Sequence, residues 1–195
     1  MCYNSYMTKT NELKFFDIDD TLLHTTALIG VVKNKKLVKR LTNAEFNTYK
    51  LNEDESFDFS EFRCSRKFAE ESKPITRVIN IFKRDLNSGA DVRLLTARED
   101  FDCKTTFLNG LRKFGIDTTR IHVHRSGNLM IKATTAEKKA VWVRRYLDNK
   151  NNNYNSVTLY DDSLENLRVF KLLEREYPEV KFNAFFVTDR KIIKI

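Results

Sequence analysis

Leu13-Lys14-Phe15-Phe16-Asp17-Ile18-Asp19-Asp20-Thr21-Leu22 begins as an apolar run and ends in acid. A short apolar run closed by turn residues marks a strand buried on both faces. Residues 91–95, ending at Thr96, carry the same signature, as do 121–124, 156–160, ending at Asp161-Asp162, and 181–187. Helical spacing fills the intervals. Ile75, Val78, Ile79, Phe82 and Leu86 share one face, and so do Phe101, Leu108, Leu111 and Phe114. Ala140, Val143, Tyr146 and Leu147 line a third helix, which Thr134 or Thr135 could cap, and Leu164, Leu167, Phe170 and Leu173 a fourth. Strands alternating with helices predict an α/β fold, a parallel sheet covered on both faces.

The rhythm breaks once, at residues 24–74. Residues 28–38 suit a hairpin with Asn34 at its turn. Residues 52–72 are charged and aromatic, with Phe57, Phe59, Phe62 and Phe68 set among acids and bases. A long interruption inside a compact domain is usually functional. It is expected to form a flap or small cap over an active site, within a single domain spanning 1–195. The run Asn149-Lys150-Asn151-Asn152-Asn153 suits a surface loop.

The 195 residues are 41% hydrophobic and 32% charged, an ordinary globular composition. No apolar run approaches the ~20 residues of a membrane helix. Residues 1–10 are polar and lack the apolar core of a signal peptide, so a cytoplasmic location is expected. Cys2, Cys64 and Cys103 form neither a disulfide framework nor a metal-spaced cluster and are expected to be reduced thiols without a role. His24, His122 and His124 also lack ligand spacing. The net charge of +8 attracts phosphorylated or nucleic-acid partners, though it serves solubility equally well.

In an open parallel sheet, ligands bind beyond the carboxyl ends of the strands. Asp17 with Asp19, Thr96, and Asp161 with Asp162 each follow an apolar run directly, so all are expected at one sheet edge. Four carboxylates gathered there repel one another unless a cation holds them, and hard oxygen ligands favour magnesium. An entering phosphate also needs a lysine, and Thr135-Ala136-Glu137-Lys138-Lys139 offers one.

Phe16-Asp17-Ile18-Asp19-Asp20-Thr21-Leu22 resembles the D-x-D-x-T signature of the haloacid dehalogenase (HAD) superfamily. Leu94-Leu95-Thr96-Ala97-Arg98 resembles its second motif, Lys139 or Lys138 the third, and Leu159-Tyr160-Asp161-Asp162-Ser163 the acidic fourth. The motifs stand in the superfamily's order, and the core resemblance runs from about Leu13 to Val187. The whole chain is also similar to small HAD-like proteins of large tailed bacteriophages, which would make the location a host cytoplasm. The resemblance implies a Rossmann-like, three-layer HAD-type core with an insert after the first strand.

It further implies a magnesium-dependent phosphatase. Asp17 would attack phosphorus to form an aspartyl-phosphate, and Asp19 would protonate the leaving alkoxide, then activate water. Mg²⁺ would be held by Asp17, Asp161 and the Asp19 carbonyl, with Asp162 supporting it through water or orienting Lys139. Thr96 and Lys139 would bind the phosphoryl oxygens, with Ala97 and Arg98 beside them; Arg98 could equally make a surface salt bridge. Adjacent helix positions point about 100° apart, so one lysine is expected to face the site and the other solvent; Lys139, beside Ala140 and Val143, is preferred. The expected substrate is a nucleotide-like phosphomonoester. The alternatives are a polynucleotide 3′ or 5′ end, tracked by Lys33, Lys35, Lys36, Lys39 and Arg40, and a catalytically weak HAD-fold module that binds nucleic acid.

Overall fold

In the structure, a computed structural model that describes residues 11–46 and 48–195, β1 (Glu12–Phe16) lies in the middle of a six-stranded sheet. Cys2 and the polar start at 1–10 lie outside the described residues. After β1 come β2 (Leu23–His24), β3 (Ile29–Lys33), β4 (Lys36–Leu41), α1 (Asn43–Phe46), β5 (Glu55–Asp58), α2 (Ser60–Arg63), α3 (Ser65–Glu71) and β6 (Lys73–Pro74). The alternating part follows: α4 (Thr76–Asn87), β7 (Asp91–Thr96), α5 (Lys104–Lys113), β8 (His122–Arg125), α6 (Thr135–Leu147), β9 (Ser156–Asp161), α7 (Leu164–Leu172), β10 (Lys181–Val187) and β11 (Ile192–Lys194).

The main sheet has the order β11-β10-β9-β1-β7-β8, parallel except for the β10–β11 pair. Successive side chains of a strand point to opposite faces, and the burial follows that rule. Phe16, Val92, Leu94 and Tyr160 pack with α4 and α5 in one core, whereas Leu13, Phe15, Leu95, Val157 and Leu159 pack with α6 and α7 in another. Helices therefore cover both faces. The crossover from β1 to β7 and that from β8 back across β1 to β9 leave the carboxyl ends of β1, β7 and β9 side by side. α6 opens with a capping box, Thr134 accepting from the Glu137 N–H while Glu137 reaches back to the Thr134 N–H, so Thr134 rather than Thr135 is the cap. α5 starts three residues beyond Phe101, which packs beside the helix instead of on it.

Residues 24–74 build a second sheet, β4-β3-β5, over a small core of Ile29, Val31 and Leu41. The hairpin turn is made by Asn34 and Lys35 at φ 49° and 63°, the left-handed pair that a two-residue turn between twisted strands requires. β4 is an edge strand exposed from Lys36 to Arg40, and its charged residues guard that edge. β2 and β6 pair as a short antiparallel stem where the chain leaves and rejoins the main body. No described helix is long and apolar enough to cross a membrane. Cys64 and Cys103 are free and sit at the N-caps of α3 and α5, where each sulfur accepts a hydrogen bond.

His124 of β8 is wedged between Trp142 and Tyr146, its Nε2 2.8 Å from the Tyr146 hydroxyl. Burial, helped by Arg93, depresses its pKa to about 4. An unfolded His titrates near 6.5, so below that pH the unfolded chain gains a proton that the folded chain refuses. His124 thus favours the folded state above pH ~6.5, and that contribution is lost as pH falls towards 4. Melting curves between pH ~7 and ~4.5 should show a smaller acid-induced drop in Tm for His124→Gln than for the wild type. An identical drop in both would place the acid sensitivity elsewhere.

Candidate active site

Asp17 is the first residue beyond β1, and its N–H donates to the Tyr160 carbonyl, which seats it between β1 and β9. The chain then closes a tight loop. The N–H groups of Leu22 and Leu23 both reach the Ile18 carbonyl, and Asp20 takes the left-handed conformation at φ 55°, which Asp tolerates better than most residues. This loop sends Asp17 inward and brings Asp19 to the same cavity.

The Lys139 ammonium lies 2.7 Å from Asp17 Oδ1 and 2.7 Å from Asp161 Oδ2, and all three groups are buried. The other oxygen of Asp161, Oδ1, accepts from the Ser163 N–H (3.0 Å) and the Asn166 amide (2.8 Å). Both oxygens of Asp161 are thus committed, and the residue is fully buried. Asp162, by contrast, borders the cavity, with the Thr21 hydroxyl 3.4 Å away. Asp161 holds the lysine, and Asp162 is the acid that borders the open space.

Asp19 is clamped by Arg98. The guanidinium reaches both carboxylate oxygens, Nη2 to Oδ1 at 2.6 Å and Nε to Oδ2 at 2.9 Å, while the Thr25 hydroxyl donates to Oδ1 at 2.6 Å. Arg98 is 3% exposed, packed among the rings of Phe62, Phe68 and Phe101, and its Nη1 donates to the Phe62 carbonyl. It is no surface salt bridge. It joins the insert to the acid at the end of β1, a contact across 79 positions of sequence.

Thr96 ends β7 fully buried, with its hydroxyl oxygen accepting from the Arg98 N–H at 3.1 Å. It caps no helix, because α5 starts only at Lys104. Its hydroxyl proton has no acceptor among the described residues. Ser126 donates to the Thr96 carbonyl, and Gly127 lies so close that a β-carbon there would stand 2.5 Å from the Ala97 carbonyl oxygen. Glycine is what lets this loop press against the end of β7.

A cavity of about 330 Å³ spans these groups. Asp17, Asp19, Asp162, Lys139, Ala97 and Arg98 form its base, and Lys138 also borders it. Lys139 holds the two carboxylates, and half-buried Lys138 borders the same cavity from the preceding position of α6. Thr96 and Asp161 lie just beneath, outside the lining. The opposite wall comes from the insert: Ile29, Asn43, Phe46, Phe59, Phe62 and Arg63. Asn43, Phe46 and Gly127 were not singled out by sequence pattern; only a tertiary contact reveals them.

Burial pushes the Asp17 carboxyl well above the usual carboxylate range; Lys139 opposes this, and Asp161, Asp162 and Asp19 add to it. Burial and the adjacent Asp161 raise Asp162 to about 7. Burial would raise Asp19 too, but the Arg98 guanidinium and the Thr25 hydroxyl outweigh it and hold the carboxyl low. Lys139 is raised despite its burial, because Asp161 and Asp17 favour its charged form. Four carboxylates meet only two buried cations, Lys139 and Arg98, which leaves two negative charges uncompensated when all are ionised. A divalent cation fits that deficit. No group of three His, Cys, Asp or Glu side chains converges at ligand spacing among the described residues. Magnesium does not need one, since it commonly takes one or two carboxylates and completes its shell with water and phosphate oxygens.

No protein-family model matches the chain, and no curated protein matches it.

Proposed function

We propose that the chain is a magnesium-dependent phosphomonoester hydrolase of the HAD type, with Asp17 as nucleophile. The observation that carries this reading is the pair Asp17 and Asp19, two residues apart, on one small-molecule-sized cavity but held by different cations. Lys139 occupies Oδ1 of Asp17, which leaves Oδ2 to attack phosphorus. As the Asp17–phosphorus bond forms, the bond to the leaving oxygen breaks, and Asp19 supplies the proton that oxygen needs. Asp19 then takes a proton from water, whose oxygen displaces the Asp17 carboxylate and releases phosphate.

Arg98 favours the ionised form of Asp19, which suits the second half of the cycle. An incoming phosphate dianion competes for the same guanidinium, and that competition lets Asp19 take up the proton required in the first half. Lys139 and the free Thr96 hydroxyl proton serve the phosphoryl oxygens, which gain charge as the bonds change. When bound, Mg²⁺ would be held by Asp17, Asp162 and the Asp19 carbonyl, and would neutralise phosphoryl charge.

The basic hairpin lends little to the polynucleotide alternative. Lys33 pairs with Asp54 at 2.8 Å, Arg40 with Glu61 at 3.3 Å, and Lys39 sits over the Tyr49 ring. Hydrolysis of a generic aryl phosphate tests the central reading. Release of the aryl alcohol should require Mg²⁺, disappear with chelator and return when the metal is restored. Release that ignores chelator, or no release across a broad range of Mg²⁺, would overturn it.

A further inference from the structure

Phe59 is a large aromatic residue that the insert does not need for its own core. Phe46, Phe57 and Phe62 pack against Ile29, Val31 and Leu41, but Phe59 stays 45% exposed and lines the cavity. Its ring meets Phe46 edge-on at 5.6 Å and Phe62 at 6.4 Å, so neighbours hold it in place while much of its surface remains open. An ordered, exposed ring facing the reacting carboxylates across a cavity is a stacking platform.

Asn43 lines the same cavity. Its amide N–H donates to Asp20 at 2.7 Å, which fixes the orientation of the side chain, and its carbonyl oxygen is left for a donor on a ligand. The cavity volume of about 330 Å³ lies at the small end of ligand pockets, enough for one mononucleotide. Arg63 and Lys138 border the same space. Lys138 makes no ion pair among the described residues, and Arg63 has only a 4.0 Å contact with Glu99.

We propose that Phe59, braced by Phe46 and Phe62 and accompanied by Asn43, is the subsite for the base of a nucleoside monophosphate. This rests on the phosphatase reading for its chemistry and adds the identity of the leaving group. A sugar phosphate leaves the ring uncovered.

The test compares nucleoside 5′-monophosphates with ribose 5-phosphate. Both esters release a primary alkoxide from the same sugar carbon, so the bond broken is chemically alike and only the base differs. Stacking on an aromatic side chain favours the nucleotide in kcat/KM on the order of tenfold to a hundredfold. Phe59→Ala collapses that ratio towards one, and Phe59→Leu, which keeps apolar bulk without a ring, restores only part of it. Equal kcat/KM for the two esters in the wild type, or a ratio that Phe59→Ala leaves unchanged, overturns the proposal.

A calorimetric titration without Mg²⁺ separates this from failure of the phosphatase reading. Even where neither ester is hydrolysed, the subsite predicts tighter binding of a nucleoside monophosphate than of ribose 5-phosphate, weakened about tenfold by Phe59→Ala. Binding that does not distinguish the ligands, or that Phe59→Ala leaves unaltered, overturns the subsite on its own.

Discussion

Asp17→Asn is expected to abolish phosphate release, on the order of 10⁴-fold or more, in a protein that remains folded. The amide is nearly isosteric, and its oxygen can still accept from Lys139, which keeps Asp161 as its ionic partner. What disappears is the nucleophilic oxygen. Stability should change little, because the replaced carboxylate was itself opposed by burial and by Asp161, Asp162 and Asp19. The checks are phosphate release and a melting curve on the same preparation. Appreciable turnover by the folded variant would remove Asp17 from the role.

Lys139→Met should damage both activity and stability. The ammonium is buried between two carboxylates at 2.7 Å each, and its loss leaves Asp17 and Asp161 facing one another without a counter-charge. Removing one partner of a buried ion pair typically costs about 3–5 kcal/mol, here a fall in Tm of roughly 10 °C. Lys138→Met is the matched control, since Lys138 is only half-buried and holds no carboxylate. It should melt close to the wild type. If the two variants melted alike, the ammonium would not be the keystone of the carboxylate cluster. Added Mg²⁺ should raise the Tm of Lys139→Met, because a cation offsets part of the missing charge.

The parts of the molecule that sequence pattern reaches are those governed by local rules. The run at Leu13 predicts β1, which ends at Phe16 and leaves Asp17 and Ile18 in the loop. Asn34 at a hairpin turn follows from its tolerance of positive φ, with Lys35 sharing the conformation. The Ser156 and Lys181 strands and their helices follow from periodicity strong enough to survive any tertiary context. The insert is harder to see, because β5 is four residues, Glu55–Asp58, two of them acidic, and its burial comes from pairing with β3. Nothing local signals a strand there.

The site divides in the same way. That Asp17, Asp19, Ala97 and Arg98 meet follows from strand ends converging at one edge of a sheet, and Lys139 joins them from α6. The burial of Arg98 under Phe62, Phe68 and Phe101, and its grip on Asp19, depend on how the insert folds back. That Asp162 rather than Asp161 borders the cavity depends on side-chain direction at the end of β9, where Ser163 and Asn166 claim the first acid. Lys138 reaches the cavity because of the cavity's breadth, which the 100° step between neighbouring helix positions does not describe.

The most direct test of the central claim is to catch phosphate on the protein. The protein is mixed with Mg²⁺ and a phosphate-labelled ester, quenched in acid within the time of one turnover, and digested. Label is expected on the peptide containing Asp17, released by hydroxylamine as an acyl-phosphate should be, and absent from Asp17→Asn. Turnover with no label on the protein, or label on a residue other than Asp17, would contradict it.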